Sequence, residues 1–451
     1  MTKASDSLQD AGLFDACFYF EGACIMKTKA EILDLVEQED VEFIRLQFTD
    51  MFGNLKNVAV TAGQLERVLD KNYVFDGSAV FGSYRNVGED FYLCPDLDTF
   101  VILPWRPQHG KVARFLCDIY DENGDVLDLS PRNILKRVID DAKEKGYTFY
   151  IDPECEFFLF HTNEDGIPTT ITHEQAGYMD VGPLDLGENP RRDMVLALED
   201  MGFEVESSHH ENAPGQQEID FQEAEPMHIA DSIVTFKSAV KSIARRFGLH
   251  ATFMPKPKQG AAGSGMHINI SVYKDGRNLF NSPDRNKVRE EAKWFMGGVM
   301  THAKGMCAVT NPLVNSYKRI VSGFEAPKDV IWTRRHENAL VKVRTRLGED
   351  TKIELRFPDP SANPYLALAV CIAAGVAGLE NKINPGEEGV VAGSLPGTLR
   401  EAVGYMQEDS FIAEVLGKEF VQIYTDAKMQ EWNEYMNQVS DWEISKYLNR
   451  I

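Results

Sequence analysis

Residues 154–159 read Glu154-Cys155-Glu156-Phe157-Phe158-Leu159. Because strand side chains alternate between two faces, this pattern predicts a strand with Glu154 and Glu156 on one face. Three further stretches repeat the arrangement of a polar face opposite an apolar face. They are Glu218-Ile219-Asp220-Phe221, His267-Ile268-Asn269-Ile270-Ser271-Val272 and Lys352-Ile353-Glu354-Leu355-Arg356-Phe357. We therefore expect four strands whose polar faces carry acids and one histidine.

The polar faces have two interpretations. Antiparallel sheets often expose one face to water, and for any single strand this is the simpler interpretation. The four strands together favour a different one, because glutamate is a poor strand former and solvated faces favour threonine, lysine and mixed polar residues. Repeated glutamate with histidine predicts a lined cavity.

Converging carboxylates predict a divalent-metal site. Carboxylate oxygens suit Mg²⁺ or Mn²⁺, and one imidazole favours Mn²⁺ slightly. No cysteine joins the set, which disfavours structural zinc. So many carboxylates would repel one another strongly without cations. We expect more than one metal ion, as in sites that hold phosphoryl oxygens.

The composition is that of an acidic globular protein. The 451 residues carry a formal net charge of −23 and a pI near 4.9. This charge opposes phosphate backbones, so we expect no nucleic-acid contact, and anionic substrates require local arginines or metals. The seven cysteines are scattered without a CxxC pair, which indicates neither a disulfide framework nor a zinc finger. We expect a cytoplasmic protein that does not enter the membrane.

The first part of the chain predicts a small α+β domain over residues 26–125. A helix is predicted over residues 29–38, then a half-buried strand around Ile44-Arg45-Leu46-Gln47-Phe48 and a return strand at Val58-Ala59-Val60. Residues 1–25 are expected to be a disordered extension, or to follow from a start codon assigned too early. Their apolar stretch lacks a basic leader and makes a weak signal peptide.

Residues 126–451 predict a larger second domain. Ser130 should cap a helix that begins at Pro131 and ends at Gly146. A second helix is expected after Asp231. The uncharged stretch Ser361 to Leu379 predicts a buried core helix rather than a membrane span, and residues 385–397 predict a surface loop.

Several motifs resemble those of the bacterial type I glutamine synthetases, in order from about Met26 to the C-terminus. The motifs are Asp76-Gly77-Ser78, Pro153-Glu154-Cys155-Glu156-Phe157-Phe158, Ser208-His209-His210-Glu211, Gly263-Ser264-Gly265-Met266-His267, Asn315-Ser316-Tyr317-Lys318-Arg319, Phe324-Glu325-Ala326-Pro327 and Asn363-Pro364-Tyr365-Leu366-Ala367.

The resemblance implies both a fold and an activity. The fold is α+β, with a small N-terminal β-grasp-like domain and a large C-terminal domain whose antiparallel, barrel-like sheet is flanked by helices. The activity is the ATP-dependent ligation of L-glutamate and ammonia to glutamine through γ-glutamyl phosphate, with two or more Mg²⁺ or Mn²⁺ ions. The family assembles as a dodecamer of two hexameric rings, with each site between two subunits.

The resemblance also implies roles for the residues of the cavity. One metal would be bound by Glu156, Glu211 and Glu218, and a second, nearer the ATP phosphates, by Glu154, His267 and Glu354. The residues implied to bind ATP are Asn269, Ser271, Lys342 and Lys352.

The remaining implied roles concern glutamate, the transferred phosphoryl group and ammonium. Arg319, the backbone of Gly263 and His267 would bind glutamate, and Arg356 would face the phosphoryl group. Glu325 would lie on a flap that shields the acyl phosphate from water. Asp76 would accept the proton of ammonium, with Tyr178 and Asp90 nearby.

Three departures fall at these positions. Ala79 replaces a serine that the family usually has, and Ala262 replaces an asparagine. An ungapped alignment puts Glu337 where the family has a phosphate-binding arginine, and Lys342 where it has another. Four arginines crowd the same segment and one could substitute: Arg334, Arg335, Arg344 and Arg346.

These departures leave two alternatives to glutamine synthesis. Ala79 would suit a wider pocket, as in a glutamate ligase for another amine (a γ-glutamyl-amine synthetase). Glu337 and Ala262 would suit a weakly active regulatory or structural paralogue, although the intact set of six metal ligands argues against it. Residues 385–397 contain no tyrosine, so adenylylation is not expected.

Overall fold

The computed structural model describes residues 27–82, 84, 88–106, 109–172, 174–284, 286–321, 324–345 and 350–451. The expected extension at residues 1–25 and the candidate Arg346 lie outside these residues. The first part of the chain contains, in order, α1 (Lys29–Gln38), β1 (Val41–Thr49), β2 (Leu55–Thr61), α2 (Leu65–Lys71), β3 (Tyr73–Asp76), α3 (Ser78–Phe81), β4 (Asp90–Pro95), β5 (Val101–Ile102) and β6 (Lys111–Tyr120).

These strands form one sheet in the order β2-β1-β6-β4-β3, with β5 beside β6. The β1–β6 pair is parallel and the other pairs are antiparallel. Ile44 and Leu46 of β1 are buried as expected, but Gln47 is buried as well. The predicted half-buried strand is confirmed in its first half, where Phe43 is exposed and Arg45 is partly exposed opposite buried Ile44, whereas toward Gln47 and Thr49 both faces are buried.

The larger part of the chain alternates strands with long helices. Its elements are α4 (Pro131–Glu144), β7 (Thr148–Cys155), β8 (Phe157–His161), α5 (Glu188–Glu199), β9 (Val205–His210), β10 (Gln216–Phe221), α6 (Pro226–Arg246), β11 (Leu249–Thr252), β12 (Met266–Lys274), β13 (Arg277–Asn278), α7 (Glu290–Thr310), α8 (Ser316–Arg319), β14 (Asp329–Val330), β15 (Trp332–Thr333), β16 (Val341–Arg344), β17 (Lys352–Leu355), α9 (Pro364–Asn381), β18 (Gly393–Ser394), α10 (Leu399–Glu408), α11 (Ser410–Leu416), α12 (Lys418–Met436) and α13 (Asp441–Tyr447).

Among the described residues, the main sheet has ten strands in the order β11-β8-β10-β7-β12-β17-β16-β15, with β9 beside β10 and β13 beside β12. Every pair is antiparallel except β15–β16. The predicted polar faces lie on adjacent strands β10, β7, β12 and β17. This adjacency brings their side chains to one place. The strand predicted over residues 154–159 is divided, because β7 ends at Cys155 and β8 begins at Phe157, so Glu156 lies between two strands rather than within one.

The helices follow the sequence patterns with three corrections. Ser130 stands at the N-cap of α4, but its side chain makes no capping hydrogen bond. Helix α6 begins at Pro226, so Asp231 lies inside it rather than before it. The expected surface loop at 385–397 contains the short strand β18, which pairs with β14.

Helix α9 is the predicted core helix. Its mean hydropathy of 1.4 and its length would allow a membrane span, but 78% of it is buried in the protein. It packs closely on α7, because Gly298 leaves room for the neighbouring backbone. A Cβ atom there would lie 2.0 Å from the carbonyl oxygen of Ala374, so no larger residue fits without separating the two helices.

Arg132 links the two parts of the chain from the first turns of α4. Its guanidinium contacts Asp96 Oδ2 at 2.7 Å, the carboxylate of Asp118, and Asp231 Oδ2 at 2.9 Å. Tyr365 of α9 donates a hydrogen bond to Asp231 Oδ1 at 2.7 Å. Because the apolar core is also continuous from Ile32 to Tyr424, the domain division near residue 125 stays a prediction.

Arg132→Met should lower the free energy of unfolding by about 3 to 5 kcal/mol, because it leaves buried aspartates without their shared cation. Urea denaturation at fixed protein concentration measures the change. Arg289→Met is the control, since Arg289 only pairs with Glu291 on the surface. A loss of no more than about 1 kcal/mol at Arg132, as expected for an exposed pair, would contradict this role.

Candidate active site

The four polar faces meet in rows that run across the strands. Glu154 of β7 lies opposite Asp220 of β10 on one side and opposite His267 of β12 on the other. Asn269 lies opposite Glu354 of β17. Of these residues, Glu154, Asp220, His267 and Glu354 line a cavity of about 1030 Å³. The strand faces therefore line a cavity, as the repeated glutamates predicted.

Glu154, His267 and Glu354 form one possible cation site. Their donor atoms all lie within 4.8 Å of one another. His267 Nδ1 is 3.1 Å from Glu154 Oε2 and 3.8 Å from Glu354 Oε1. Two carboxylates and an imidazole at this spacing suit a divalent cation.

Two arginines already neutralise these carboxylates. Arg344 forms an ion pair with Glu154, and Arg356 forms one with Glu354. Although burial alone would raise it, the pKa of Glu154 lies well below its usual range, because His267 and Arg344 stabilise the ionised form. The pKa of His267 is lowered by burial and by Arg356. This part of the cavity is thus balanced in charge.

Glu156, Glu211 and Glu218 form a second acidic group. Burial and the nearby Glu211 raise the pKa of Glu156 to about 8. Burial with Asp220 and Glu156 raises the pKa of Glu218 well above its usual range, and burial raises that of Glu211. Among the described residues, no lysine or arginine nitrogen lies within 4.0 Å of these carboxylates. Three buried acids without a cation fit a divalent metal ion.

A smaller pocket adjoins this second group. Its lining includes Arg319, Gly263 and Glu325. Arg319 is 2% exposed and donates hydrogen bonds to the carbonyl oxygens of Phe357 at 3.1 Å and Arg356 at 3.0 Å. Position 263 must be glycine, because a Cβ atom would lie 2.3 Å from the carbonyl oxygen of Pro255. A buried arginine and a close backbone can bind a small anion.

Glu337 lies between two cations at the rim of the large cavity. Its carboxylate pairs with Lys342 and lies 3.2 Å from Arg356 Nη1. The Nε of Arg356 also donates to the Glu337 carbonyl oxygen at 2.8 Å. Although burial opposes the shift, these cations lower the pKa of Glu337. The charge of this acid is therefore neutralised locally.

The predicted nucleotide-binding residues do not all reach the cavity. Lys342 lines it, whereas Asn269, Ser271 and Lys352 are not among its lining residues. Asn269 holds Glu154 and Arg344 by hydrogen bonds of 3.0 and 2.8 Å. Lys352 pairs with Asp152 at 3.1 Å and with Glu223 at 2.7 Å, and the hydroxyl of Ser271 lies 3.5 Å from the carbonyl oxygen of Tyr150.

The predicted ammonium-binding residues are divided between two places. Tyr178 lines the cavity and its ring meets the His209 ring edge-on, with centroids 5.6 Å apart. Asp76 and Asp90 are paired across β3 and β4. Both are exposed and neither lines the described cavity of the same chain.

Sequence reasoning missed the residues that position Glu211 and Glu156. His210 Nδ1 donates to the carbonyl oxygen of Glu211 at 2.6 Å, and its Nε2 contacts Glu174 Oε1 at 2.6 Å. Gln216 donates to the carboxylate of Glu156. The His209-His210 pair gave a signal in the sequence, but Glu174 lies too far along the chain for a local pattern to find it.

Comparisons with known proteins agree with this architecture. Residues 40–122 match the family model described as "Glutamine synthetase, beta-Grasp domain", and residues 128–447 match "Glutamine synthetase, catalytic domain". A glutamine synthetase of Clostridium saccharobutylicum is 51% identical over 94% of this chain and 99% of its own length. One from Thermus thermophilus is 47% identical over 93% and 99%.

Solved structures give the same result. A structure described as "GmaS/ADP complex-Conformation 1" has a TM-score of 0.84 and 30% identity, covering 92% of this chain and 99% of that one. A second, "Apo GmaS without ligand", has a TM-score of 0.83 and 31% identity over the same shares. The β-grasp domain and the large domain with its curled sheet are thereby confirmed.

Binding of Mn²⁺ to the metal-free protein near pH 7 should release protons. The Glu156 carboxyl titrates near 4.5 without its surroundings and near 8 in the fold, so the folded protein holds an additional proton between these values. A bound cation displaces that proton. Titration calorimetry in buffers of different ionisation enthalpy counts the protons. Glu156→Gln should bind Mn²⁺ weakly and release fewer protons, whereas the exposed control Glu164→Gln should behave as the wild type.

The same titration sets the pH dependence of stability. The raised pKa of Glu156 means that the folded state binds more protons than the unfolded state, so this group's contribution to stability falls as pH rises from 4.5 to about 8. Glu156→Gln removes the effect. The stability of metal-free Glu156→Gln relative to the wild type should therefore increase over this interval in urea titrations, and a constant difference would contradict the shift.

Proposed function

The chain belongs to the glutamine synthetase family, and from that premise we propose that it joins L-glutamate and ammonia to form glutamine. ATP phosphorylates the side-chain carboxylate of glutamate, and ammonia then displaces phosphate from γ-glutamyl phosphate. The observation that carries the proposal is that two clusters of carboxylates, together with Lys342, Arg344 and Arg356, line one large cavity. Such a site suits phosphoryl transfer, where positioning and charge stabilisation provide most of the catalysis.

Divalent cations, Mg²⁺ or Mn²⁺, complete this site. Glu156, Glu211 and Glu218 would hold one ion, since no lysine or arginine among the described residues pairs with these buried carboxylates. Glu154, His267 and Glu354 offer donors for a second. Ions held there would supply positive charge that neutralises phosphoryl oxygens.

Glutamate would enter the smaller pocket. Arg319 uses two of its five N–H donors on backbone carbonyls. The remaining donors can bind the α-carboxylate, where a guanidinium is the best-suited side chain. The backbone of Gly263 bounds the same pocket, and His267 lines both cavities. The side-chain carboxylate then points toward the metal-binding acids.

ATP would place its phosphates near Lys342 and Arg356 in the large cavity. Arg356 is well suited to the transferred phosphoryl group because its guanidinium faces the cavity beside Glu354. Asn269 acts through Glu154 and Arg344, which it holds in place. Ser271 and Lys352 lie outside the cavity lining and would not contact ATP directly. Lys352 would act by neutralising Asp152.

Glu325 and the ammonium site complete the mechanism. Glu325 lines both cavities, which suits a flap that keeps water from the acyl phosphate. A carboxylate must also take a proton from ammonium before nitrogen can attack. We assign this role to Asp76 of a neighbouring chain, with Asp90 beside it and Tyr178 on the cavity side. A site shared between chains requires an oligomer, and we propose the family's assembly, a cytoplasmic dodecamer of two hexameric rings.

The function is tested by phosphate release from ATP with glutamate and Mg²⁺ or Mn²⁺, with and without ammonium. Mass spectrometry identifies the product. Ammonium-dependent phosphate with equimolar glutamine supports the proposal. Turnover only with an organic amine, or ATP binding without turnover, would refute it.

Glu325→Ala should increase ATP hydrolysis that is not coupled to amide formation, because the acyl phosphate loses its cover. We expect the ratio of phosphate to glutamine to rise about tenfold. Glu206→Ala is the control, since Glu206 lines the large cavity but not the small pocket. An unchanged ratio in Glu325→Ala would remove the flap role.

Mixed oligomers test whether sites are shared between chains. Asp76→Asn and Glu211→Gln should each be inactive, but co-expressed chains should recover activity. With random mixing, about one quarter of shared sites contain both native residues. Glu156→Gln with Glu211→Gln is the control, because both changes fall in one chain's cavity. No recovery in the first mixture, or a monomer in light scattering, would refute a shared site.

A further inference from the structure

Arg344 lies in the cation site formed by Glu154, His267 and Glu354. It is the last residue of β16, and its guanidinium contacts the carboxylate of Glu154. Its Nη1 lies 2.8 Å from Asn269 Oδ1, and its Nε lies 3.9 Å from Glu354 Oε2. The side chain is only 17% exposed. A fixed cation thus contacts two of the three residues that could bind the second metal.

The two acidic groups differ in how their charge is balanced. Glu154 and Glu354 each face a guanidinium, from Arg344 and Arg356 respectively. The described surroundings of Glu156, Glu211 and Glu218 supply no such partner within 4.0 Å. Electrostatics therefore favours binding of the first divalent cation at Glu156, Glu211 and Glu218. A cation that enters beside Glu154 would be repelled by Arg344.

We propose that Arg344 is a tethered cation that occupies the metal site beside Glu154 in the nucleotide-free enzyme and must leave that carboxylate before the metal ion of this site can bind. The idea deepens the proposed function, because it assumes that the large cavity binds ATP. It also gives Arg344 the task left by the arginine that Glu337 replaces.

Nucleotide provides the reason for Arg344 to move. A buried guanidinium that leaves one carboxylate must find another anion, because an unpaired buried charge is costly. The phosphates of ATP offer oxygens that suit its planar fork of donors. Lys342 lies two residues earlier on the same strand and also lines the cavity. The metal ion carried by ATP can then replace Arg344 beside Glu154.

The test counts Mn²⁺ bound per chain by electron paramagnetic resonance, without glutamate or ammonium. The wild type should bind one ion tightly, and a nonhydrolysable ATP analogue should add a second. Arg344→Met should bind two ions without nucleotide, with the second bound about tenfold or more tighter than in the wild type. Arg344→Gln, which keeps a polar side chain, should do the same. Arg335→Met is the matched control, since Arg335 is an exposed arginine of the same segment.

Two tight ions in the nucleotide-free wild type, unchanged in Arg344→Met, would overturn the proposal. So would a wild type whose Mn²⁺ count does not change with the ATP analogue, and this measurement needs no variant to fold. The count is independent of turnover. A chain that binds one ion, then two, but makes no glutamine would refute the proposed function and leave the role of Arg344 intact.

Discussion

Like charges buried on one face of a sheet raise one another's free energy, and the rest of this structure depends on how that repulsion is relieved. The protein uses three means. Arg344 and Arg356 neutralise Glu154 and Glu354. Asp152 is only partly relieved by Lys352, and burial raises its pKa to about 7. Glu156, whose pKa is raised to about 8, keeps near pH 7 a proton that a metal ion would displace.

The scaffold around the cavity holds these charges in position. Glu154, Glu218 and Glu354 stand on interior strands β7, β10 and β17, where register fixes each side chain against its neighbour, and Glu156 and Glu211 directly follow the ends of β7 and β9. The apolar faces of these strands pack on buried helices, so a strand cannot slip by one residue without turning its acids into the core. Arg132 joins helix α4 to the N-terminal sheet and to α6. Core packing and buried ion pairs thus resist the spreading that carboxylate repulsion favours.

Much of this architecture follows from local patterns in the sequence. The period of two at Glu154 and Glu156 predicted the polar face, and the apolar run before Leu379 predicted the core helix, because both are local properties. The start of α6 was misplaced because Asp231 resembles a capping residue, although tertiary contacts with Arg132 determine its place. The contacts of Arg344 were also beyond prediction. They join residues 190 positions apart, and only strand order brings them together.

Glu337 shows why a change of charge in a site must be judged with its neighbours. Taken alone, an acid in place of a phosphate-binding arginine would oppose ATP. In the structure Glu337 pairs with Lys342 and Arg356, and these cations neutralise its charge at the rim of the cavity. Arg344 adds a guanidinium at the other side of Glu354. Lys342, Arg344 and Arg356 all line the cavity, so a polyphosphate there would still meet one ammonium and two guanidinium groups, which suit phosphate oxygens.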